Sequence, residues 1–550
     1  MRRVVVVVAL LGFVLGMAQF RADATVYSAG SSGSWHPDGN VYAMAMTSTR
    51  VYVGGDFTQL VGPGGATMAR GNLAAFDRAT GAPLPWAPTA SGLGSSDADE
   101  VRALAVGADG TVYAGGFFTE VNGEPRDRVA ALDADGELVP GFALGLDNQV
   151  WDLQAVGTSL YVAGNFRKVN GVLHRSVVRV DAATGARDTS WVPVFEGDGD
   201  VQALAVAGST VYLGGTFDNL GGGPTGRRFM GAVSTVDGAV TGWRPTAIPV
   251  PVAGGGTRPC DSCRVRDLKV SGSTVVAAIG GNYGGWAAGW TTDTGQRRWL
   301  LHFDGEAQAV TAYGGIAYIG GHFNGIYRGA RREQMAAVNI LSGGMYAYRI
   351  DTTGNPEPGV WAMAAGSDAL RLGGSTQLAN SIQKRYLVLK AVPMTTVRVS
   401  TSGCPTCKVR LLQDRPGAAA WATGWVTAKK GVATFVVPRS RTAGMTVRVI
   451  APWERRQVTR TEVVMRYHGV APGRRVSNVA SVKKKAAYPC YAGTTASSVS
   501  FGLQVRKVLV PGTRKVGSRA WATTSRRAWK PLKTAKRGAI RAGAVTVCRP

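Results

Sequence analysis

Carboxylates recur along the first two-thirds of this 550-residue chain at one kind of place, just ahead of an alternating apolar run. Asp38, Asp99 with Glu100, Asp147, Asp200, Glu306 and Glu357 lie there, and Arg70, Arg128, Arg175, Arg228, Arg332 and Arg385 recur farther along each unit. Three chemistries fit such a ring. The plainest is ion pairing between neighbouring loops, which is weak where water screens it. Convergent oxygens would also suit Ca2+ or a cationic ligand, although no loop carries an EF-hand or nonapeptide calcium pattern. Two facing carboxylates could serve as acid and base on a glycosidic bond, yet nearly every unit offers one and nothing singles out a pair.

Histidine constrains the enzyme readings further. His36, His174, His302, His322 and His468 are scattered, so no clustered copper site can be assembled from them. No phosphate-binding loop, Gly-x-Ser-x-Gly elbow or His-Glu-x-x-His motif appears. One irregular stretch stands out. The insertion PVAGGGTRPCDSC is followed by NYGGWAAGW, whose Tyr283, Trp286 and Trp290 could form an aromatic wall for a sugar or another flat ligand. The competing reading is that these tryptophans merely cover a shortened unit.

The elements that must position these groups are repeats. VYVGGDF, VYAGGFF, LYVAGNF, VYLGGTF, AAIGGNY, AYIGGHF and LRLGGST recur between Val51 and Gly374, each preceded by an alternating run such as VRALAV. Period-two alternation marks half-buried strands, and a spacing of this order holds about four short strands per unit. A third run (NLAAFD, RVAALDA, VVRVDA) meets an Asp-to-Gly turn, which supplies local hydrogen bonds and positive φ. The outermost run ends on Trp86, Phe142, Trp191, Trp243 or Trp299, expected to pack between units.

The last unit stops one strand short, at RYLVLKA, while TVYSAGSSGSWHP near the start reads as an orphan outer strand. The sequence therefore predicts an all-β fold: a seven-bladed β-propeller over residues 25–394, closed by its N-terminal strand. Closure removes open sheet edges. The units resemble the secreted bacterial propellers of the delta-sixty type, built from Gly-Gly-x-Phe repeats, and more loosely the kelch family. What the resemblance implies is a scaffold, with any ligand site on the face carrying the longer loops.

Arg2, Arg3, the apolar stretch from Val4 and the Ala22-Asp23-Ala24 site predict a secretory signal peptide over residues 1–24. In an exported chain six cysteines favour disulfides, and spacing suggests Cys260 with Cys263, Cys404 with Cys407, and Cys490 with Cys548. Zinc held by the first two pairs is the lesser alternative. Charge is segregated. Residues 25–394 hold 28 Lys and Arg against 31 Asp and Glu, whereas residues 395–550 hold 31 against 3.

That basic region keeps strand alternation and reads as β-sandwich-like, with two possible modules over 395–470 and 490–550. Its rhythm resembles domains appended to secreted bacterial wall proteins. Lys429, Lys430, Arg455, Arg456, Arg474, Arg475, Lys483, Lys484, Lys485, Arg526 and Arg527 are candidate polyanion contacts, with Lys536 and Arg537 beside them. Trp421, Trp425, Trp453, Trp521 and Trp529 are interleaved. A field of one sign attracts anionic polymers and weakens with salt. The expectation is a secreted or wall-associated, non-catalytic binding or scaffold protein without a cofactor, its propeller taking a protein or glycan. The rival is a secreted glycan lyase or hydrolase. Nucleic acid suits the charge but not the compartment.

Overall fold

The computed structural model describes residues 26–28, 35–94, 99–223, 226–252, 255–282, 284–327, 330–346, 348, 350, 352, 359–377, 384–402, 406–413, 421–423, 425–442, 445–450, 459–466, 488–491, 498–509, 514–516, 520–522 and 545–548. Among these residues there is no α-helix, and no helix is long and apolar enough to cross a membrane. The signal-peptide segment, Glu357 and Tyr283 lie outside the described residues.

The alternating runs ahead of the glycine phrases fold as β1 (Val41–Met46), β2 (Glu100–Val106), β3 (Val150–Val156), β4 (Val201–Ala207), β5 (Cys263–Ser271), β6 (Ala307–Tyr313) and β7 (Val360–Ala365). Each pairs antiparallel with the strand bearing its own phrase, as β2 does with Val112–Phe117 and β4 with Thr210–Gly215. A third strand completes each sheet, for instance Val129–Leu132 or Met230–Ser234. The strands β1 to β7 pack side by side in chain order, and β7 packs against β1.

The fourth strand departs from expectation. Only the fifth sheet carries a long one, Arg297–Phe303, among the described residues. Elsewhere it shrinks to single bridges, such as Phe76 with Pro83, Val180 with Arg187 and Val233 with Val240. The outer runs APLPWAP, TSWVP and GWRP are rich in proline, which lacks the ladder N–H, and RRWLLHF has none. The seventh sheet takes its outer strand from the N-terminal side, where Val26 and Tyr27 pair with Val392 and Ala391.

Successive sheets share apolar wedges, in which Tyr52 and Trp86 of one meet Val101 and Leu104 of the next. The first glycine of the phrase permits this approach. A Cβ on Gly54 would lie 2.5 Å from Val101 Cγ1, and one on Gly373 would lie 2.7 Å from Val41 Cγ1. The outer tryptophans bridge sheets by donating indole N–H to carbonyls of the following unit: Trp86 to Asp133, Trp191 to Ser234, Trp243 to Thr291 and Trp299 to Ile340. Between last and first sheets Asp368 binds Arg78 and Arg371, each at 2.7 Å.

In the basic region, Met394–Ser402 lies between Val432–Pro438 and Ser498–Leu509, and the latter also pairs with Thr459–Arg466. A second sheet joins Lys408–Gln413, Met445–Ile450, Tyr488–Tyr491 and Val545–Cys548. Strands from 395–470 and from 490–550 thus share both sheets. The two stretches are woven together rather than folded as separate modules.

Candidate functional site

Each of the strands β1 to β7 carries one β-bulge, and in all but β5, where Ile279 stands opposite Val265, the second glycine of the phrase sits opposite the residue before it. Register slips between Val41 and Ala43, Gly115 and Gly116 (opposite Ala103 and Val101), Val150 and Asp152, Val201 and Ala203, Val265 and Asp267, Ala307 and Ala309, and Val360 and Ala362. A Cβ on Gly116 would strike the Glu100 carbonyl, and one on Gly215 the Asp200 carbonyl. Glycine is required where the bulged backbone leans in. The extra residue of a bulge is unpaired and its side chain is re-aimed.

The phrase also fixes the neighbouring loop. Gly116 N–H donates to Arg128 O, and Arg128 N–H donates to Phe118 O; Gly215, Phe229 and Phe217 repeat the pattern. The residue so held has positive φ although it is not glycine: Asn72, Arg128, Ser176 and Phe229, and Gln334 and Arg385 share that φ. Such backbone persists because the surrounding bonds over-determine it.

The bulged residues are Tyr42, Arg102, Trp151, Gln202, Arg266, Gln308 and Trp361. Contacts between distant strands place them around a common axis. The Arg102 guanidinium lies 3.8 Å from the Tyr42 ring centroid, 5.6 Å from Trp151 and 5.7 Å from Trp361. Arg266 lies 6.0 Å from Trp361, and Tyr42 meets Trp361 edge-on at 5.9 Å. Carboxylates hold both arginines, Glu100 to Arg102 at 2.6 Å and Glu306 to Arg266 at 3.1 Å. Gln149 caps Glu100, and Asp56 accepts from Tyr42 Oη at 2.8 Å. Burial, reinforced by the Asp56 charge, pushes the Tyr42 phenol up.

Beyond this ring along the axis is a cavity of about 350 Å3 bounded by β1 to β5. Asp152 and Asp267 reach across to accept the backbone N–H of Leu204 and Val310, both at 2.8 Å, stitching each strand to the next. Lys269 pairs with Asp267 at 3.1 Å. Burial pushes the Asp152 carboxyl up to about 6 against the pull of Lys269. On the loop-bearing side a cleft of about 420 Å3 adjoins the ring through Gln202 and is walled by Asn148, Asn165, Arg175, Asp200 and Arg264.

The carboxylates expected at the mouth divide into two sets. Asp147 accepts the N–H groups of Arg167 and Lys168, Asp38 those of Thr58 and Gln59, and Asp99, 6% exposed, that of Leu93. These three hold loops. Glu100 and Glu306 flank the ring, and Asp200 accepts from Thr216 and Gln202 at its edge. The recurrent arginines reach elsewhere. Arg70, Arg128, Arg175 and Arg332 donate to the carbonyls of Leu84, Phe118, Gly197 and Tyr346, while Arg228 meets Asp218 at 3.3 Å. Both signs are spent chiefly on backbone.

The aromatic wall is corrected. Trp286 and Trp290 are 2% and 1% exposed, and Trp290 donates to Thr246 O at 3.0 Å. The strand Gly285–Thr291 is flanked by partners on both sides, so neither indole presents a face to a ligand. Cys260 and Cys263 form a disulfide, which removes zinc from that pair. Cys407 is also disulfide-bonded, and Cys404 lies outside the described residues. Cys490 and Cys548 stand on paired strands, with Tyr488 opposite Cys548. Among the described residues no group of three or more His, Cys, Asp or Glu could hold a metal ion.

Of the basic candidates, Lys429 and Lys430 are exposed at a turn. Arg455, Arg456, Arg474, Arg475, Lys483, Lys484, Lys485, Arg526, Arg527, Lys536 and Arg537 lie outside the described residues. Arg410 stacks over exposed Trp425 at 4.9 Å. The ring residues were missed by sequence reasoning. The usable signal was the column after the leading Val or Ala of each alternating run, always a large side chain.

A family model described as a domain of unknown function (DUF5122), a β-propeller, matches residues 107–142 and 159–190. The fold is a β-propeller. No curated protein matches the chain. Among solved structures, Saccharomyces cerevisiae Sqt1 is similar at 10% identity and a TM-score of 0.39, covering 66% of this chain and 99% of its own. Kuenenia stuttgartiensis hydrazine synthase aligns at 12% identity and TM-score 0.38, covering 65% of this chain and 99% of that one. The Dos1 propeller aligns at 9% identity and TM-score 0.36, covering 68% and 96%. The propeller here carries its candidate site at the axial mouth, where the bulged ring meets the cleft.

Proposed function

We propose that this chain is a secreted, non-catalytic binding protein of the Gly-Gly-x-Phe type: a seven-bladed propeller, closed by Val26 and Tyr27, joined to a basic β-sandwich-like region. The axial mouth recognises a protein or glycan, and residues 395–550 dock on anionic envelope polymers. One observation carries the reading at the mouth. Every innermost strand spends a bulge on aiming a large polar or aromatic side chain at one axis, a use of backbone irregularity that packing alone does not require. Arg with Trp and Tyr is the composition of recognition surfaces. The docking half rests on the segregation of 31 basic residues against 3 acidic ones in residues 395–550.

The test is cosedimentation of the full chain with bacterial envelope across a salt series. Replacing Lys429, Lys430 and Lys483 to Lys485 by Ser should weaken sedimentation and flatten its salt dependence, because each lost contact releases fewer counterions. Sedimentation that ignores both salt and these changes would overturn docking. Turnover of a glycan by the full chain would replace binding by catalysis.

A further inference from the structure

Resting on the mouth as the recognition site, we propose that its ligand is a neutral, hydroxyl-rich sugar, seated against Trp151, Trp361 and Gln308 and continuing into the adjoining cleft. The charged seats at the mouth are already taken. Arg102 occupies the space between Tyr42, Trp151 and Trp361 that would cage a cation, so a cationic ligand must evict it. Glu100 and Glu306 hold the two arginines, and Asp56 and Asp200 add further negative charge nearby. An anion at the ring meets two guanidinium groups already paired with Glu100 and Glu306, with Asp56 and Asp200 close by.

What the mouth leaves unmet is hydrogen bonding at the Nε of Arg102 and Arg266 and at three uncharged atoms. Trp86, Trp191, Trp243, Trp290 and Trp299 each give their indole N–H to a backbone carbonyl. Trp151 and Trp361 do not: both indole nitrogens are buried without a partner, as is Gln308 Oε1 on a residue 4% exposed. Buried polar groups are ordinarily paired, so two neutral donors and an acceptor left over in one ring, beside the Nε of Arg102 and of Arg266, mark a place for something that both donates and accepts. Sugar hydroxyls do both, and their C–H faces lie well on indoles. Seating the sugar requires Arg102 to swing along Glu100 and uncover the indole edges, its positive charge staying beside that carboxylate. The cleft beyond Gln202, about 420 Å3, falls within the ~300–1,000 Å3 of small-molecule sites and is walled by amide, carboxylate and guanidinium groups.

Calorimetric titration of the full chain with chitopentaose, cellopentaose and maltopentaose, beside pentagalacturonate and the chitosan pentamer, tests the class. A neutral pentamer should bind, with an affinity changing less than about twofold from 50 to 300 mM salt. Trp151→Phe and Trp361→Phe keep a flat ring and remove the N–H; each should weaken binding about tenfold, the equivalent of ~1.4 kcal/mol. Gln308→Leu should do likewise, and unchanged melting of the three variants separates lost contact from lost fold. Three results would overturn the proposal: binding of the acidic or cationic pentamer alone, a neutral ligand indifferent to all three changes, or no neutral pentamer bound. Envelope sedimentation that persists in that last case leaves the docking reading standing while the sugar at the mouth falls.

Discussion

Two columns of side chains, one residue apart in every innermost strand, have opposite characters. Val41, Val101, Val150, Val201, Val265, Ala307 and Val360 are at most 2% exposed and nearly uniform in type. The next residue in each strand is Tyr42, Arg102, Trp151, Gln202, Arg266, Gln308 or Trp361, with no chemistry in common. Five of the first column, Val41, Val101, Val150, Val265 and Val360, face the first phrase glycine of the preceding sheet, where space for a single Cβ is lacking. The second is the bulged residue, freed from the ladder. The repeat thereby separates positions that hold the ring of sheets together from positions that can vary at the axis.

The sharpest way to break the contrast is within one dipeptide. Val201→Asp should prevent folding, since an unpaired charge in a 0% exposed site costs upwards of ~4 kcal/mol, while Gln202→Ala should shift the urea midpoint by less than the equivalent of ~1 kcal/mol. Next in size is the glycine that faces the bulge. Gly116→Ala puts a methyl against the Glu100 carbonyl and should cost about 1–3 kcal/mol by chemical denaturation; an unchanged midpoint would show that the bulge does not need glycine.

The seam between last and first sheets offers a third, smaller effect with a pH signature. Burial alone would push the Asp368 carboxyl up, but hydrogen bonds from Arg78 and Arg371 outweigh it and hold the group far below the usual carboxylate range. A depressed value in the folded state makes the contribution complete above about pH 4 and lost as the pH falls further. Asp368→Asn should cost about 1–2 kcal/mol, discounted for the carboxylate's 35% exposure, and should flatten the acid limb of a melting-temperature profile. The smallest effect has the reverse sign. Asp152, raised to about 6 by burial, binds its proton more tightly folded than unfolded, so its contribution declines as pH rises from about 4 to 6. Asp152→Asn should remove that slope, measured on the same profile.

The sheets were legible in the sequence because alternation and turn chemistry act locally. VRALAV became β2 and VQALAV became β4, and the outer tryptophans pack between sheets as their recurrence implied. The ring was not, for a physical reason. A bulge inserts one residue and shifts the phase of the alternation, so a strict period of two cannot place Arg102 or Trp361. The acids were visible but misleading: Asp147 and Asp38 recur because loop amides need an acceptor, and the same residue type would recur for a ligand. Trp286 and Trp290 looked like a platform because composition does not reveal which strands flank them.

The pairing of Val26 and Tyr27 with Val392 and Ala391 has a kinetic side. Tyr27 Oη donates to Gly366 O across 339 residues of chain, so the final sheet contains a contact that no partial chain can make. Loop-closure entropy grows slowly with length, but the search must wait for the far partner, and contacts of such separation form late. Until then the outer edge of Lys384–Val392 stands open to any other extended segment, including the same segment of a second molecule. The step that completes the molecule is therefore also the one at which two copies can trade strands, and dilution during refolding should favour the closed monomer.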